Sequence, residues 1–423
     1  MIQKARTFYL AGWRGGKAVL ANWAIVLFGL IASQGIAALV LIIVARRVMP
    51  VEYGQYLSCY ALASLLIVLP NYGLETWLLA ESSVTLPKLV AGWKSAIRLR
   101  LRLLLAWLAG MAMLGMLLPA DAFPSNILIP TTLGLACDSL VLVSYSVLRS
   151  LSWHRRVTSL QLIASLALLG VTLALPPEHG RIMLFSVSRA AVSAVLAVVV
   201  VTMTHNSLRV PATFAPADDL LRTARPFMLS DLFASVYLKA DLTIVSLFLG
   251  SSGASIYGPA LTLINVSFLV PNALYLAVMP IIARIYRKTG VFGRMGVVQL
   301  ILQMLTGATI AGAMFGLSQV MINLVFGSAY EPSVLVLRFL SPIPFFKSLN
   351  FGLALLLTVG QHQNWRTSAQ MLCAIFNVAG NLLIVIPFGV VGVSIVYTLS
   401  EGLLLGGYSL GVYRWWFDRR KNA

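Results

Sequence analysis

Apolar residues fill this chain in runs of twenty or so, and short polar stretches separate them. A helix that crosses the hydrocarbon core of a bilayer needs about 20 apolar residues. Runs of that kind occupy residues 19–45, 54–80, 99–118, 125–148, 158–175 and 182–204. A second set occupies 227–249, 257–283, 297–317, 333–358, 367–388 and 391–413. The polar stretch between the sets, 205–225, holds Pro211, Pro216, Asp218 and Asp219 and reads as a linker. The expected architecture is an all-α integral membrane protein of about twelve transmembrane helices. The pattern places them in two sets of six, residues 1–204 and 226–423, joined by the linker 205–225.

The two sets repeat one another. Shifting the chain by about 200 residues, without gaps, lays Val44 on Val245, Tyr56 on Tyr257 and Pro70-Asn71 on Pro271-Asn272. The copies read Val68-Leu69-Pro70-Asn71 and Leu269-Val270-Pro271-Asn272 inside otherwise apolar segments. Internal duplication is a common way to build a transporter from two bundles.

Composition sharpens this. Of the 423 residues, 59% are hydrophobic and 10% charged, with a mean hydropathy of +0.89. A soluble domain carries about 25% charged residues, so the bilayer has to serve as solvent. The net charge is +18. In a soluble chain that excess suggests nucleic acid; here it points to anionic lipid headgroups instead. Cationic residues gather at the N-terminus (Lys4, Arg6, Arg14, Lys17), in the even-numbered connections and at the C-terminus (Arg414, Arg419, Arg420, Lys421). The first even connection includes Lys88, Lys94, Arg98, Arg100 and Arg102, whereas the odd ones hold only Arg46, Arg47, Arg181 and Arg338. The positive-inside rule then puts both termini in the cytoplasm. Cys59, Cys137 and Cys373 lie in apolar runs without disulfide or zinc spacing. No P-loop, dinucleotide loop or metal-ligand cluster is present, so no cofactor is expected. Trp93, Trp107, Trp153 and Trp365 fall near expected interfaces and read as an aromatic belt.

Several local patterns carry a resemblance. They are Arg46-Arg47 followed by Gly54-Gln55-Tyr56, Pro70-Asn71-Tyr72-Gly73-Leu74, and Asp241 leading to Leu249-Gly250. Further along come Met279-Pro280-Ile281-Ile282-Ala283-Arg284, Phe326-Gly327-Ser328-Ala329-Tyr330, Asn377 to Asn381, Pro387 to Gly392, and Ser400-Glu401. In this order the chain resembles the multidrug/oligosaccharidyl-lipid/polysaccharide (MOP) exporter superfamily, and within it the polysaccharide-transport branch of Wzx-type flippases. One departure is Ala254-Ser255-Ile256-Tyr257, which lacks the Gly usual in the second Gly-x-Tyr. The resemblance implies two bundles around a central cavity that opens alternately to each side. It implies an undecaprenyl-diphosphate-linked oligosaccharide as substrate, moved across a bacterial inner membrane for O-antigen or exopolysaccharide assembly. It further implies a working monomer beside polysaccharide polymerase and chain-length machinery, with H+ or Na+ coupling.

Moving such a headgroup through hydrocarbon leaves charges and hydroxyls without partners, at several kcal/mol or more per polar group. A hydrated cavity with cationic walls removes most of that cost. Ionisable residues within spans are therefore the candidates. The cations are Lys347, Lys239 and Arg189, with Arg46 and Arg47 at the outer end of the first span. Lys347 follows Pro342 and Pro344, so its helix is expected to be broken. Arg189 and Lys239 have snorkelling to the headgroups as the alternative reading. Arg46 and Arg47 have interfacial anchoring as theirs. The ion-coupling candidates are Asp241, Asp138 and Glu401; each either takes up a proton or simply pairs with a cation such as Lys239 or Lys347. Lys239 and Asp241 are two positions apart and so face nearly opposite ways on one helix. Glu75 and Asp231 read as structural. Two competing functions remain open at this point: a membrane polymerase or ligase acting on the same lipid-linked sugar, which would need a large outer loop, and a drug exporter of the same superfamily.

Overall fold

The computed structural model describes residues 16–79, 86–151, 153–176, 181–208 and 217–422. Lys4, Arg6, Trp13, Arg14, Arg209, Pro211 and Pro216 lie outside the described residues. All described elements are helices. In chain order they are α1 (Gly16–Arg47), α2 (Pro50–Leu66), α3 (Val68–Asn71), α4 (Leu74–Trp77), α5 (Leu86–Leu117), α6 (Ser125–Ser150), α7 (His154–Ala174) and α8 (Arg181–Ser207). There follow α9 (Ala217–Ser267), α10 (Leu269–Thr289), α11 (Gly293–Gly316), α12 (Ser318–Val325), a 3-10 turn (Ser328–Tyr330), α13 (Ser333–Leu340), α14 (Ile343–Val359) and α15 (Gln363–Asn422).

Among the described residues, nine helical stretches are long and apolar enough to cross a membrane. The two longest, Asp231–Thr289 and Gln363–Arg414, each contain one non-helical glycine, Gly250 (φ 68°, ψ −165°) and Gly389 (φ 56°, ψ −147°). Only glycine tolerates that region of backbone space. At Gly389 the chain doubles back: Trp365 Nε1 donates to the Gly407 carbonyl (2.8 Å), and Asn377 Nδ2 donates to Ser400 Oγ (3.4 Å). At Gly250 the same reversal brings Val245 against Gly253. Counted as pairs, and with α1, these stretches make twelve passages, as the apolar runs predict. Met116, Leu117, Leu383 and Ile386 are among the most exposed side chains. An apolar exterior on this scale requires lipid around it, and helices satisfy their own backbone groups there.

The duplication is visible in the backbone. The helix pair α2/α3 breaks at Ile67, and α9/α10 breaks at Phe268, the equivalent position in the second copy. Each break precedes the Pro-Asn pair, since proline cannot donate to the preceding turn. The first copy is broken further by Tyr72 and Gly73, both left-handed (φ 49° and 63°). A Cβ on Gly73 would fall 2.5 Å from the backbone nitrogen of Met228, so glycine is required there for space as well as for angle.

The chain divides into two compact units. One comprises Met1–Val40, Leu66–Leu114 and Ile129–Asp231, with Leu74, Leu78, Val90, Trp93, Val143 and Val147 in its core. The other comprises Leu41–Leu65, Gly115–Leu128 and Leu232–Ala423. In this second unit α14 packs between α11 and α15. A Cβ on Gly307 of α11 would sit 2.9 Å from Phe345 Cα, so the two helices approach at backbone distance. The same unit closes Gly54 onto Ser251, whose carbonyl oxygen would be 2.1 Å from a Cβ at position 54. This explains the unequal copies of the Gly-x-Tyr pattern. Where two backbones meet this closely, a glycine on one side suffices, and the second copy carries Ser255.

Two expectations need correction. Trp93 and Trp107 do not belong to an interfacial belt: both are buried, and Trp93 packs in the core of the first unit. Arg100 is not a loop charge: it lies within α5 and is wholly buried.

Candidate functional site

A buried polar cluster lies inside the second unit, on α9, α14 and α15. Pro342 and Pro344 end α13 and start α14 afresh, which fixes the face that Lys347 presents one turn later. Its ammonium donates to Glu401 Oε1 at 2.6 Å, and Asn350 Nδ2 donates to Glu401 Oε2 at 2.8 Å. The Lys347 side chain is 10% exposed and that of Glu401 0%. Tyr237 and Phe268 place their rings 4.9 and 5.5 Å from the same ammonium. Lys347 thus spends its charge on Glu401.

Asp241 is handled differently. Its Oδ1 accepts from Asn381 Nδ2 at 2.7 Å, and that amide also donates to Asn377 Oδ1 at 3.1 Å. Asn377 and Asn381 are four apart, so they share a face of α15. Asp241, Asn377 and Asn381 are all buried, and Asn381 Oδ1 has no hydrogen-bond partner. Among the described residues no Lys or Arg forms an ion pair with Asp241. A carboxylate in a dry interior needs a cationic partner or a proton. Here an amide network supplies neither, and the surplus of buried oxygens suits a proton or a hard cation.

Lys239, two positions away, points elsewhere: its ammonium donates to the Ser64 carbonyl at 2.9 Å. The opposite facing of Lys239 and Asp241 follows from the helical period. Arg46 binds the last turn of α12, its guanidinium donating to the Val325 carbonyl (2.7 Å) and also to that of Leu324. Those carbonyls are unsatisfied within their own helix, so Arg46 caps it. Tyr330 Oη donates to the Ala45 carbonyl at 2.9 Å beside this cap. Arg47 is exposed at the end of α1.

Two further ion pairs lie in the first unit. Arg189 Nη2 meets Asp138 Oδ2 at 3.3 Å. Arg100 Nη1 donates to Glu75 Oε1 (3.1 Å) and to the Ser139 carbonyl (2.8 Å), while Nη2 donates to the Asn71 carbonyl (2.6 Å). Ser139 Oγ in turn donates to Asn71 Oδ1 at 2.7 Å. The Asn71 carbonyl is freed by the helix break at Tyr72–Gly73, so the buried guanidinium completes a helix end that the Pro-Asn-Tyr-Gly pattern opens. Sequence reasoning missed this network because Arg100 sits among Lys94, Arg98 and Arg102. The available signal was Glu75, an acid inside a span without a cation on its own helix. We expect Arg100→Ala to destabilise the protein by about 3 kcal/mol, the cost of removing one partner of a buried pair. Thermal unfolding in detergent measures it, and an unchanged midpoint would refute the role.

Among the described residues no three or more His, Cys, Asp and Glu side chains gather into a metal site. What the arrangement offers chemically is therefore charge storage: cations held by carbonyls (Lys239, Arg46), cations neutralised by carboxylates (Lys347, Arg189, Arg100), and one buried acid without a cation.

Comparison with known proteins fits this picture. No curated protein matches the sequence. Solved structures do match in fold. An inward-facing multidrug resistance MATE transporter of the MOP superfamily superposes with a TM-score of 0.71, at 12% identity over 92% of this chain and 96% of the other. The lipid II flippase MurJ, in an inward closed conformation, superposes with a TM-score of 0.69, at 12% identity over 91% and 87%. A MOP transporter from Pyrococcus furiosus gives 0.61, at 13% identity over 93% and 95%. The fold is that of the MOP superfamily. The pattern that defines the polysaccharide biosynthesis protein family runs over residues 19–286, more than half of the chain, and this protein belongs to that family.

Proposed function

We propose that the protein is a flippase that moves polyprenyl-diphosphate-linked oligosaccharide units from the inner to the outer leaflet of a bacterial cytoplasmic membrane. The observation that carries the reading is the pairing of a polysaccharide biosynthesis family with a transporter fold. The likeness to a lipid II flippase supports a lipid-linked substrate. In this reading the protein does no bond chemistry. Residues 1–204 and 226–423 are the two bundles, linked by 205–225, and both termini face the cytoplasm.

A diphosphate needs cations that bind it and then let it go. Lys239 and Arg46 suit this better than Lys347 and Arg189, because their partners are neutral carbonyls rather than carboxylates. Exchanging a carbonyl for a phosphate oxygen keeps a hydrogen bond and gains charge neutralisation. Arg47 remains a candidate beside Arg46. Asp241 is the coupling residue in this scheme: a proton or Na+ there neutralises its charge in one state of the cycle.

Two experiments test this. Deleting the protein in its native host should make completed lipid-linked repeat units accumulate unpolymerised while surface polysaccharide disappears. If single units instead reach the outer face and are not extended, the protein acts as a polymerase and the proposal fails. Lys239→Ala should lower complementation of the deletion about tenfold, the effect of losing one charge-assisted hydrogen bond. Wild-type complementation by a normally expressed Lys239→Ala would remove this lysine from the path.

A further inference from the structure

Glu75 and Asp231 read from the sequence as plain structural acids, yet both stand beside one guanidinium of the first unit. The break between α3 and α4 brings them together. A Cβ on Gly73 would fall 2.5 Å from the Met228 nitrogen and 2.6 Å from the Phe227 carbonyl carbon. The early part of α9 therefore runs backbone to backbone along the break. Asp231 lies one helical turn beyond Phe227 and shares its face of α9. Glu75 follows the break directly, on α4, and accepts from Arg100 Nη1 at 3.1 Å. The charges that act on Asp231 are those of Glu75 and Arg100. Towards Arg100, α6 and α3 turn only the neutral carbonyls of Ser139 and Asn71. Arg98 and Arg102 of α5, and Arg222 and Arg225 of α9, are exposed.

The charges in this cluster do not balance. Two carboxyl groups meet one guanidinium, which stays protonated at any ordinary pH. Arg100 is wholly buried, and its Nη groups serve Glu75 and the two carbonyls. Its buried Nε has no hydrogen-bond partner. Among the described residues no Lys or Arg forms an ion pair with Asp231. One negative charge is thus left over where water is scarce, and neighbouring carboxylates in that position titrate as a pair. We propose that Glu75, Asp231 and Arg100 form a proton-binding site, in which the two carboxyl groups hold one proton between them. The proton bonds to a carboxylate oxygen and leaves from it to water, while Arg100 keeps its own throughout. The Glu75 side chain is 28% exposed, which gives water a route. The site is separate from Asp241 and does not depend on what the protein moves. In the flippase reading above, it is a second point at which protons enter the cycle.

The test uses the full chain, purified in detergent, in an Asp241→Asn background so that Asp241 does not contribute. The readout is the infrared band of protonated carboxyl groups between about pH 5 and pH 8, above the ordinary carboxylate range of about 4. The background protein should show a band that fades as the pH rises. Asp231→Asn and Glu75→Gln should each abolish it, because a single acid left beside Arg100 ionises, and the two together should remove no more. Asp231→Glu, which keeps both acids, should retain it. A band that survives either neutral substitution overturns the site. Its loss in Asp231→Glu would trace the effect to packing, also against the proposal. So would a band that sodium chloride removes at constant pH, since the pair would then be a sodium site.

Discussion

Replacing Lys347 with alanine destabilises the folded protein by about 3–5 kcal/mol, the cost of leaving one charge of a buried pair alone. The reason lies in Glu401, whose side chain is 0% exposed and which receives both Lys347 and Asn350. Without the ammonium, a carboxylate is stranded in the interior of the second unit. The effect should be visible as a lowered unfolding midpoint in detergent, and as lower membrane abundance at constant transcription. The double variant Lys347→Met/Glu401→Gln should recover most of the loss, because it removes both charges and keeps the approximate volume. An unchanged midpoint in Lys347→Ala would show the pair to be energetically neutral. A double variant no better than the single one would show that some other contact of Lys347 carries the effect, such as its approach to Tyr237.

Asp241→Asn is expected to act on transport rather than on folding. The substitution keeps the size of the side chain and an oxygen to accept from Asn381, so the polar network survives. What it removes is the only charge in that network. Transport driven by an imposed proton or sodium gradient should fall about tenfold or more, a barrier change of about 1.4 kcal/mol or above. The response to the gradient should vanish with it, while the folded fraction stays at the wild-type level. Reconstituted vesicles with each gradient applied in turn separate the two ions. A variant that keeps the wild-type response to both would make Asp241 a structural carboxylate.

The passages were legible in the sequence because their signal is length and apolarity, which do not depend on tertiary context. The duplication was legible for a related reason: an ungapped shift preserves helix breaks, and the breaks at Ile67 and Phe268 fall on it. The turn at Gly389 was harder than the one at Gly250. A span boundary is expected to show polar residues, as Ser251, Ser252 and Ser255 do after Gly250, but at Gly389 one glycine reverses the chain with none beside it. The site was legible as a set of ionisable residues and not as a set of pairs. Lys347 meets Glu401, and Asp241 meets Asn381, across helices far apart in the chain, and no local spacing encodes that. Local spacing did separate Lys239 from Asp241, because both lie on one helix. Arg100 was hidden by its neighbours: a cation among other cations reads as a loop, and only the packing of α5 against the broken second span reveals it as buried.

This chain alone is expected to carry a lipid-linked oligosaccharide across a bilayer. The most direct measurement reconstitutes the purified protein into vesicles with a fluorescent polyprenyl-diphosphate oligosaccharide in both leaflets, then adds a membrane-impermeant glycosidase or quencher outside. If the protein is a flippase, nearly the whole pool becomes accessible with time, whereas protein-free vesicles stop at about half and Asp241→Asn vesicles lag. If accessibility stops at the protein-free level under every gradient, the account is contradicted.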